Sequence, residues 1–206
     1  YLRSIFTEAI NHPDIVALSI GTRPDCLPDE VLNLLGELNK FKPVWVELGL
    51  QTIHENTAKY INRGYTLDVF NTAVNNLNKI NVDVIVHLII GLPFESKEDI
   101  LESVKYVSSM NISGIKLQLL HVLKNTPLEK EYSLNKFEVL SMEEYVDIIA
   151  ECLRYIPKSI VIHRLTGDGP KSILVAPLWS GNKKAVLNYM NKRFNELNVI
   201  QGSLCS

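Results

Sequence analysis

Short apolar runs alternate with longer amphipathic segments over the first 156 residues. The runs predict strands over residues 15–21, 44–50, 82–90 and 114–122. Apolar residues at helical spacing predict helices over residues 28–39, 55–61, 67–80, 97–109 and 142–155. Ser96 with Asp99, and Ser141, are typical of helix starts. Strands joined by crossover helices pair in parallel, so the pattern predicts an α/β fold with a parallel sheet.

Each predicted strand has one apolar face and one face with polar or small residues. In residues 44–50, Glu47 and Gly49 alternate with apolar side chains, and His87 and Lys116 occupy the same kind of face in later strands. Strands of an open parallel sheet covered by helices on both sides are apolar on both faces. A buried charge also costs several kcal/mol unless it is paired or reaches solvent or ligand. We therefore expect a partial TIM-like (β/α) barrel whose polar strand faces surround a wet cavity.

The pattern changes after residue 156. Residues 159–165 are predicted to be extended, residues 166–170 form a turn cluster, and residues 182–197 form an amphipathic helix. We predict two parts: a partial barrel over residues 1–156 and a C-terminal α/β extension over residues 157–206 that packs on the barrel.

The composition of the chain argues against several classes of protein. The 206 residues carry 21 Lys and Arg against 23 Asp and Glu, so nothing indicates a nucleic acid or membrane surface bound through charge. No apolar stretch approaches the ~20 residues of a membrane span. The cysteines, Cys26, Cys152 and Cys205, have neither metal-ligand nor disulfide spacing, which indicates a reducing cytoplasm. Because the chain begins at Tyr1 and not at methionine, we expect a piece of a longer protein.

Candidate functional residues follow the C-terminal ends of the predicted strands, where barrel enzymes place their sites. These residues are Arg23, Gln51, Gly91 and His121. Within the strands, Glu47 either lines the cavity or forms an ion pair with Lys116, and His87 either contacts a ligand or lies in the core with its hydrogen bonds satisfied. Arg164 and Asp168 either cover the mouth of the cavity or belong to a plain surface loop.

Five motifs resemble those of the radical S-adenosylmethionine (SAM) superfamily. They are GTRPDCL at residues 21–27, VELGLQT at 46–52, INRG at 61–64, HLIIGLP at 87–93 and HRLTGDGP at 163–170. The first and the last are most similar to the bacterial YhcC-like group. That group is related to the oxygen-independent coproporphyrinogen oxidases and to the elongator catalytic subunit.

The resemblance implies a barrel of six β/α units, of which the predicted strands are the third to sixth and the first two are absent. It implies two cofactors, SAM and a [4Fe–4S] cluster. The cluster ligands are expected upstream, in a C-x-x-x-C-x-x-C loop whose spacing no cysteine here has. The implied reaction is reductive cleavage of SAM by the cluster, which gives methionine and a 5′-deoxyadenosyl radical that abstracts hydrogen from an unidentified substrate. We accordingly expect this truncated part of an iron–sulfur oxidoreductase to be inactive by itself.

The same resemblance implies a set of cofactor-binding residues. Gln51 and Arg63 match residues that contact the methionyl and ribose parts of SAM, and His87 replaces an acidic ribose ligand. Gly91 lets the backbone approach the adenine, because glycine has no Cβ. The full candidate set is Arg23, Glu47, Gln51, Arg63, His87 and Gly91, with no metal ligand.

Two other interpretations remain open. The first is a metal-free barrel enzyme that uses Glu47, His87 and Lys116 for acid–base chemistry and needs no further segment. The second is a non-catalytic module that docks a partner through the cavity or through the helix over residues 182–197. The exposed edge of the strand over residues 15–21 also invites self-association.

Overall fold

The protein has an α/β fold built on a parallel sheet, in a computed structural model that describes residues 1–167 and 169–205. The main sheet contains, side by side in chain order, β1 (Leu18–Thr22), β2 (Val44–Gln51), β3 (Asp83–Ile90), β4 (Gly114–Leu119) and β6 (Val161–Arg164). A second, antiparallel pair consists of β5 (Val122–Leu123) and β7 (Leu174–Ala176). The predicted fold class is confirmed. Within the described residues the main sheet stays open, with β1 and β6 at its edges.

Eight helices of the described residues lie before, between and after the strands. They are α1 (Leu2–Asn11), α2 (Asp29–Leu38), α3 (Glu55–Tyr60), α4 (Leu67–Lys79), α5 (Lys97–Ser108), α6 (Pro127–Ser133), α7 (Met142–Arg154) and α8 (Lys183–Glu196). Capping boxes of Ser96 with Asp99 and of Ser141 with Glu144 begin α5 and α7. None of the helices in the described ranges is long and apolar enough to cross a lipid bilayer.

The strand faces alternate as the sequence predicts. Val46 and Leu48 are fully buried in a core that α2, α4, α5 and α7 share, whereas Glu47 between them is half-buried. The strands β3 and β4 repeat the pattern around His87 and Lys116. We call the side of the main sheet opposite the helical core the polar face; its polar side chains include Ser19, Glu47, His87, Lys116 and Gln118.

Two predicted strands have different ends. The first begins at Leu18 and not at residue 15, because the N–H of Ile15 closes a turn instead of pairing with β2. The strand predicted over residues 114–122 ends at Leu119. Its partner β3 ends at Ile90, whose carbonyl accepts the N–H of Leu120, and Val122 pairs instead with Ala176 in the antiparallel pair.

The extended segment predicted over residues 159–165 has a larger role than expected. Its residues Val161–Arg164 form β6, which pairs in parallel with β4, so the main sheet has five strands and not four. Strand β6 comes from the region assigned to the extension, and the division at residue 156 stays a prediction. Asp168 lies outside the described residues.

Candidate functional site

A row of hydrogen bonds crosses four strands on the polar face. Ser19 Oγ on β1 donates to Glu47 Oε1 on β2 at 2.9 Å. Glu47 Oε2 lies 2.9 Å from His87 Nε2 on β3, and His87 Nδ1 lies 2.9 Å from Gln118 Nε2 on β4. Every second side chain of a strand points to the same side of a sheet, and neighbouring strands are paired in register. Four residues that are distant in the sequence therefore meet here.

Lys116 joins this row through an ion pair. Its Nζ lies 2.5 Å from Glu47 Oε2, and the two side chains are 16% and 18% exposed. Burial raises the pKa of Glu47, but hydrogen bonds from Lys116 and Ser19 and the charge of Lys116 outweigh burial and bring the pKa to about 2. Of the two roles predicted for Glu47, the structure therefore contains the ion pair.

His87 is held as a neutral ring. Burial lowers its pKa, and the positive charge of Lys116 lowers it further, while Glu47 acts in the opposite direction. A carboxylate only accepts hydrogen bonds, so Nε2 carries the proton toward Glu47 and Nδ1 accepts from the Gln118 amide. Both ring nitrogens of His87 thus have partners on the polar face.

Gln51 ends β2 at an irregularity of the strand. Its backbone is left-handed, with φ of 70°, and the pairing register with β3 shifts between Gly49 and Gln51. The side chain folds over Gly49, where a Cβ would lie 2.6 Å from Gln51 Nε2. No hydrogen bond joins the Gln51 amide to any other described residue. The amide is therefore available to a ligand at the C-terminal end of the sheet.

Arg63 lies beneath this turn, with a side chain only 1% exposed. Its NH1 group donates to the carbonyls of Leu50, at 3.4 Å, and Thr52, at 2.7 Å. These carbonyls flank Gln51, so the buried guanidinium holds the strained backbone of that residue in place. NH2 donates to Glu55 Oε1 at 2.9 Å. The sequence suggests a direct cofactor contact for Arg63, whereas its donors here bond to the protein.

Tyr65 is a site residue that the sequence analysis missed. Its ring contacts two guanidinium groups, with Arg63 Cζ at 5.0 Å and Arg23 Cζ at 5.4 Å from the ring centroid. The hydroxyl donates to the carbonyl of Gly49. Arg23 is also paired with Asp25 at 2.7 Å. The sequence signal that could have identified Tyr65 is its position two residues after the candidate Arg63.

Two candidates occupy tight turns elsewhere. Gly91 has φ of 84°, and a Cβ there would lie 2.9 Å from Leu140 Cδ1, so the turn after β3 requires glycine. His121 lies against Gly167 and Gly169, whose Cβ atoms would come within 3 Å of its ring. The structure does not bring His121 into the row of hydrogen bonds on the polar face.

Potential metal ligands do not match an iron–sulfur cluster in this chain. Cys26 and Cys205 are exposed, and Cys152 is buried in α7. Among the described residues, three possible ligands meet at one place: His54, Asp99 and Glu102. The carboxylate of Asp99 caps the start of α5, where the helix dipole disfavours a cation. This group therefore does not replace cluster ligands, and the three separate thiols do not fit the cluster.

Two family descriptions match the sequence. The one for the radical SAM superfamily matches residues 2–107, and the one for the Radical_SAM C-terminal domain matches residues 112–196. The chain belongs to the radical SAM superfamily. The predicted family is thereby confirmed.

Relatives of this radical SAM chain include two bacterial proteins. It is 44% identical to the uncharacterized protein YtqA of Bacillus subtilis (strain 168) over 201 residues, which cover 98% of this chain and 62% of the relative. It is 35% identical to protein YhcC of Escherichia coli (strain K12) over 203 residues, which cover 98% of this chain and 65% of the relative. The chain thus spans less than two thirds of either protein.

A solved structure has a similar fold. The archaeal Elp3 of Methanocaldococcus infernus, lacking its N-terminus, superposes with a TM-score of 0.75 at 25% identity. The match covers 90% of the radical SAM chain and 43% of the Elp3 chain. The fold of this radical SAM chain is thus shared with that Elp3 structure over most of the chain.

Proposed function

We propose that this radical SAM chain forms the SAM-binding and substrate-binding part of an iron–sulfur oxidoreductase. The observation that supports the proposal is the polar face, where Glu47, His87 and Gln118 meet and beyond which the Gln51 amide stands unpaired at the strand end. When bound, the cluster would supply one electron for cleavage of SAM to methionine and the 5′-deoxyadenosyl radical of this family. The substrate is unidentified.

In the proposed mechanism, the residues of this chain bind SAM and hold it in position. The Gln51 amide donates to and accepts from polar groups of SAM, and Arg63 keeps that amide in place through the flanking carbonyls. Gly91 gives the turn after β3 the left-handed backbone that it needs. The cluster would be held by a part of the protein outside this chain, because the thiols here do not fit it. We therefore propose that the chain alone does not cleave SAM.

Acid–base chemistry without a cofactor has weaker support. An efficient general base has a pKa near the working pH. The pKa of Glu47 is about 2, and both nitrogens of His87 already have partners. Neither residue is poised to take a proton from a substrate at neutral pH.

Location and partners belong to the same proposal. All three cysteines are free thiols, which supports a reducing cytoplasm.

Strand β1 is an edge of the sheet. An unpaired edge supports self-association, which sedimentation tests.

Gln51→Ala in the full-length, cluster-reconstituted protein should weaken SAM binding by about 1–3 kcal/mol for each lost hydrogen bond, or roughly 5- to 150-fold. The amide makes no bond within the described protein, so stability should change little. Anaerobic calorimetry measures the affinity, and Asn33→Ala on the exposed side of α2 is the matched control. Equal affinities of the two variants would remove Gln51 from the site.

The reaction has its own test. With a chemical reductant, the full-length protein should release 5′-deoxyadenosine from SAM, which mass spectrometry detects. A protein that carries the cluster and binds SAM but yields no 5′-deoxyadenosine would contradict the proposed chemistry.

A further inference from the structure

Arg164 brings an uncompensated charge to the polar face. It pairs in register with Lys116, so the two side chains leave the sheet on the same side. The strand bulges at this point, because Ile115 pairs with Ile162 and the next residue, Lys116, pairs with Arg164. Bulges commonly redirect side chains beside functional sites.

The skipped residue, His163, also lies on this side. A Cβ on Gly114 would approach its ring to 2.5 Å, and the ring meets Trp45 edge-on with centroids 6.3 Å apart. His163 therefore fills the space beside β4, while Arg164 is exposed and has no hydrogen bond or ion pair with any described residue.

The other charges at this level of the sheet cancel. Glu47 and Lys116 form an ion pair, and the lowered pKa of His87 keeps that ring neutral. The charge of Arg164 reaches the centre of the polar face, since it contributes to lowering the pKa of His87. Arg164 thus leaves this region with a net positive charge.

We propose that Arg164 anchors an anionic group of the substrate, a carboxylate or a phosphate, beside the Lys116–Glu47 pair. The planar guanidinium offers a fork of donors that matches the oxygens of either group. Partial burial of the neighbouring side chains strengthens such a contact relative to bulk water. This inference rests on the proposed function and adds the substrate class to it.

Distance separates this anchor from the proposed SAM contact. Arg164 is level, across the paired strands, with Lys116, His87 and Gly49. Three strand spacings of ~4.8 Å put its backbone ~14 Å from that of Gly49, over which the Gln51 amide folds. One molecule can therefore lie over β2 and β3 while another reaches Arg164.

The test uses acetate and inorganic phosphate as probes, titrated separately into the full-length, cluster-reconstituted protein and followed by the NMR signals of His87 and His163. We expect saturable shifts with at least one probe. The affinity for that probe should fall about tenfold or more in Arg164→Gln and be restored in part in Arg164→Lys, which keeps the charge but lacks the fork. Arg3→Gln, which removes an exposed arginine on α1, should bind like the parent. Binding of acetate alone would identify the anionic group of the substrate as a carboxylate, and binding of phosphate alone would identify it as a phosphate. Binding of both probes would support the chemistry that the two groups share.

Two results would overturn the proposal. One is the absence of saturable binding, or equal binding by the parent and Arg164→Gln. The other is displacement of the anion by saturating SAM, which would assign Arg164 to the cofactor and not to the substrate. Either result leaves SAM binding intact in the calorimetric test, so failure of the anchor is distinguishable from failure of the proposed function.

Discussion

Glu47→Gln should lower the free energy of unfolding by about 3 kcal/mol at pH 7. The change keeps the shape of the side chain but removes the carboxylate that pairs with Lys116, whose side chain is only 16% exposed. A buried ammonium without its counter-charge is the main cost. Urea unfolding of parent and variant, followed by circular dichroism, measures the difference.

A matched exposed pair provides the control. Glu37 lies 2.6 Å from Arg3, with side chains 53% and 63% exposed, so Glu37→Gln should cost far less stability than Glu47→Gln. Adding Lys116→Met to Glu47→Gln should recover part of the lost stability, because no unpaired charge remains. Equal losses for the two single glutamine variants would show that the pair on the polar face has no special role in stability.

The same pair makes stability depend on pH. The pKa of Glu47 falls from its usual 4.5 to about 2 on folding, so its contribution is complete above pH 4.5 and is lost as the pH falls toward 2. The lowered pKa of His87 adds a loss that begins below its usual 6.5. The stability difference between parent and Glu47→Gln should therefore shrink between pH 4.5 and 2. A constant difference over that range would contradict the assigned ionisation.

Arg63→Ala should have the larger effect, a loss of about 4 kcal/mol in unfolding free energy. It leaves the carbonyl of Thr52 without its donor, at ~1–3 kcal/mol when buried, and it opens a cavity beneath the turn. The carbonyl of Leu50 keeps the backbone N–H of Thr52 as a donor. Thermal and urea unfolding measure the loss. Arg23→Ala is the matched control, because Arg23 also contacts the Tyr65 ring but has a side chain 53% exposed.

The position of Arg63 also predicts a defect in ligand binding. Lysine keeps the charge but lacks the fork that reaches both carbonyls, so Arg63→Lys should weaken SAM binding in the full-length protein through a misplaced Gln51. Arg23→Ala should bind SAM more nearly like the parent. Equal stability losses in Arg63→Ala and Arg23→Ala would rule out the positioning role of the buried guanidinium.

Local patterns predicted the sheet and its two faces. A strand repeats every two residues, so the alternation of Glu47 and Gly49 with Val46 and Leu48 is sufficient to separate the polar face from the core. Helix starts at Ser96 and Ser141 were equally local signals. The motifs added the superfamily, which the family comparison confirmed.

Long-range contacts explain what the sequence did not predict. Arg63 follows a short helix, where a solvated arginine is the ordinary expectation, and only its contacts with Leu50 and Thr52 reveal a buried role. Tyr65 acquires its place from two arginines that are 42 and 2 positions away in the sequence. Strand β6 was predicted to be extended, but its partner β4 lies more than 40 residues earlier in the chain.

The row of hydrogen bonds from Ser19 to Gln118 also favours the correct register of the strands during folding. A slip of one residue between neighbouring strands would turn Glu47 or His87 toward the apolar helices and bring a valine or leucine to the opposite side. Each mistake would bury an unpaired polar group and expose an apolar one. The side chains proposed to serve a ligand therefore also penalise misaligned versions of the sheet before any ligand is present.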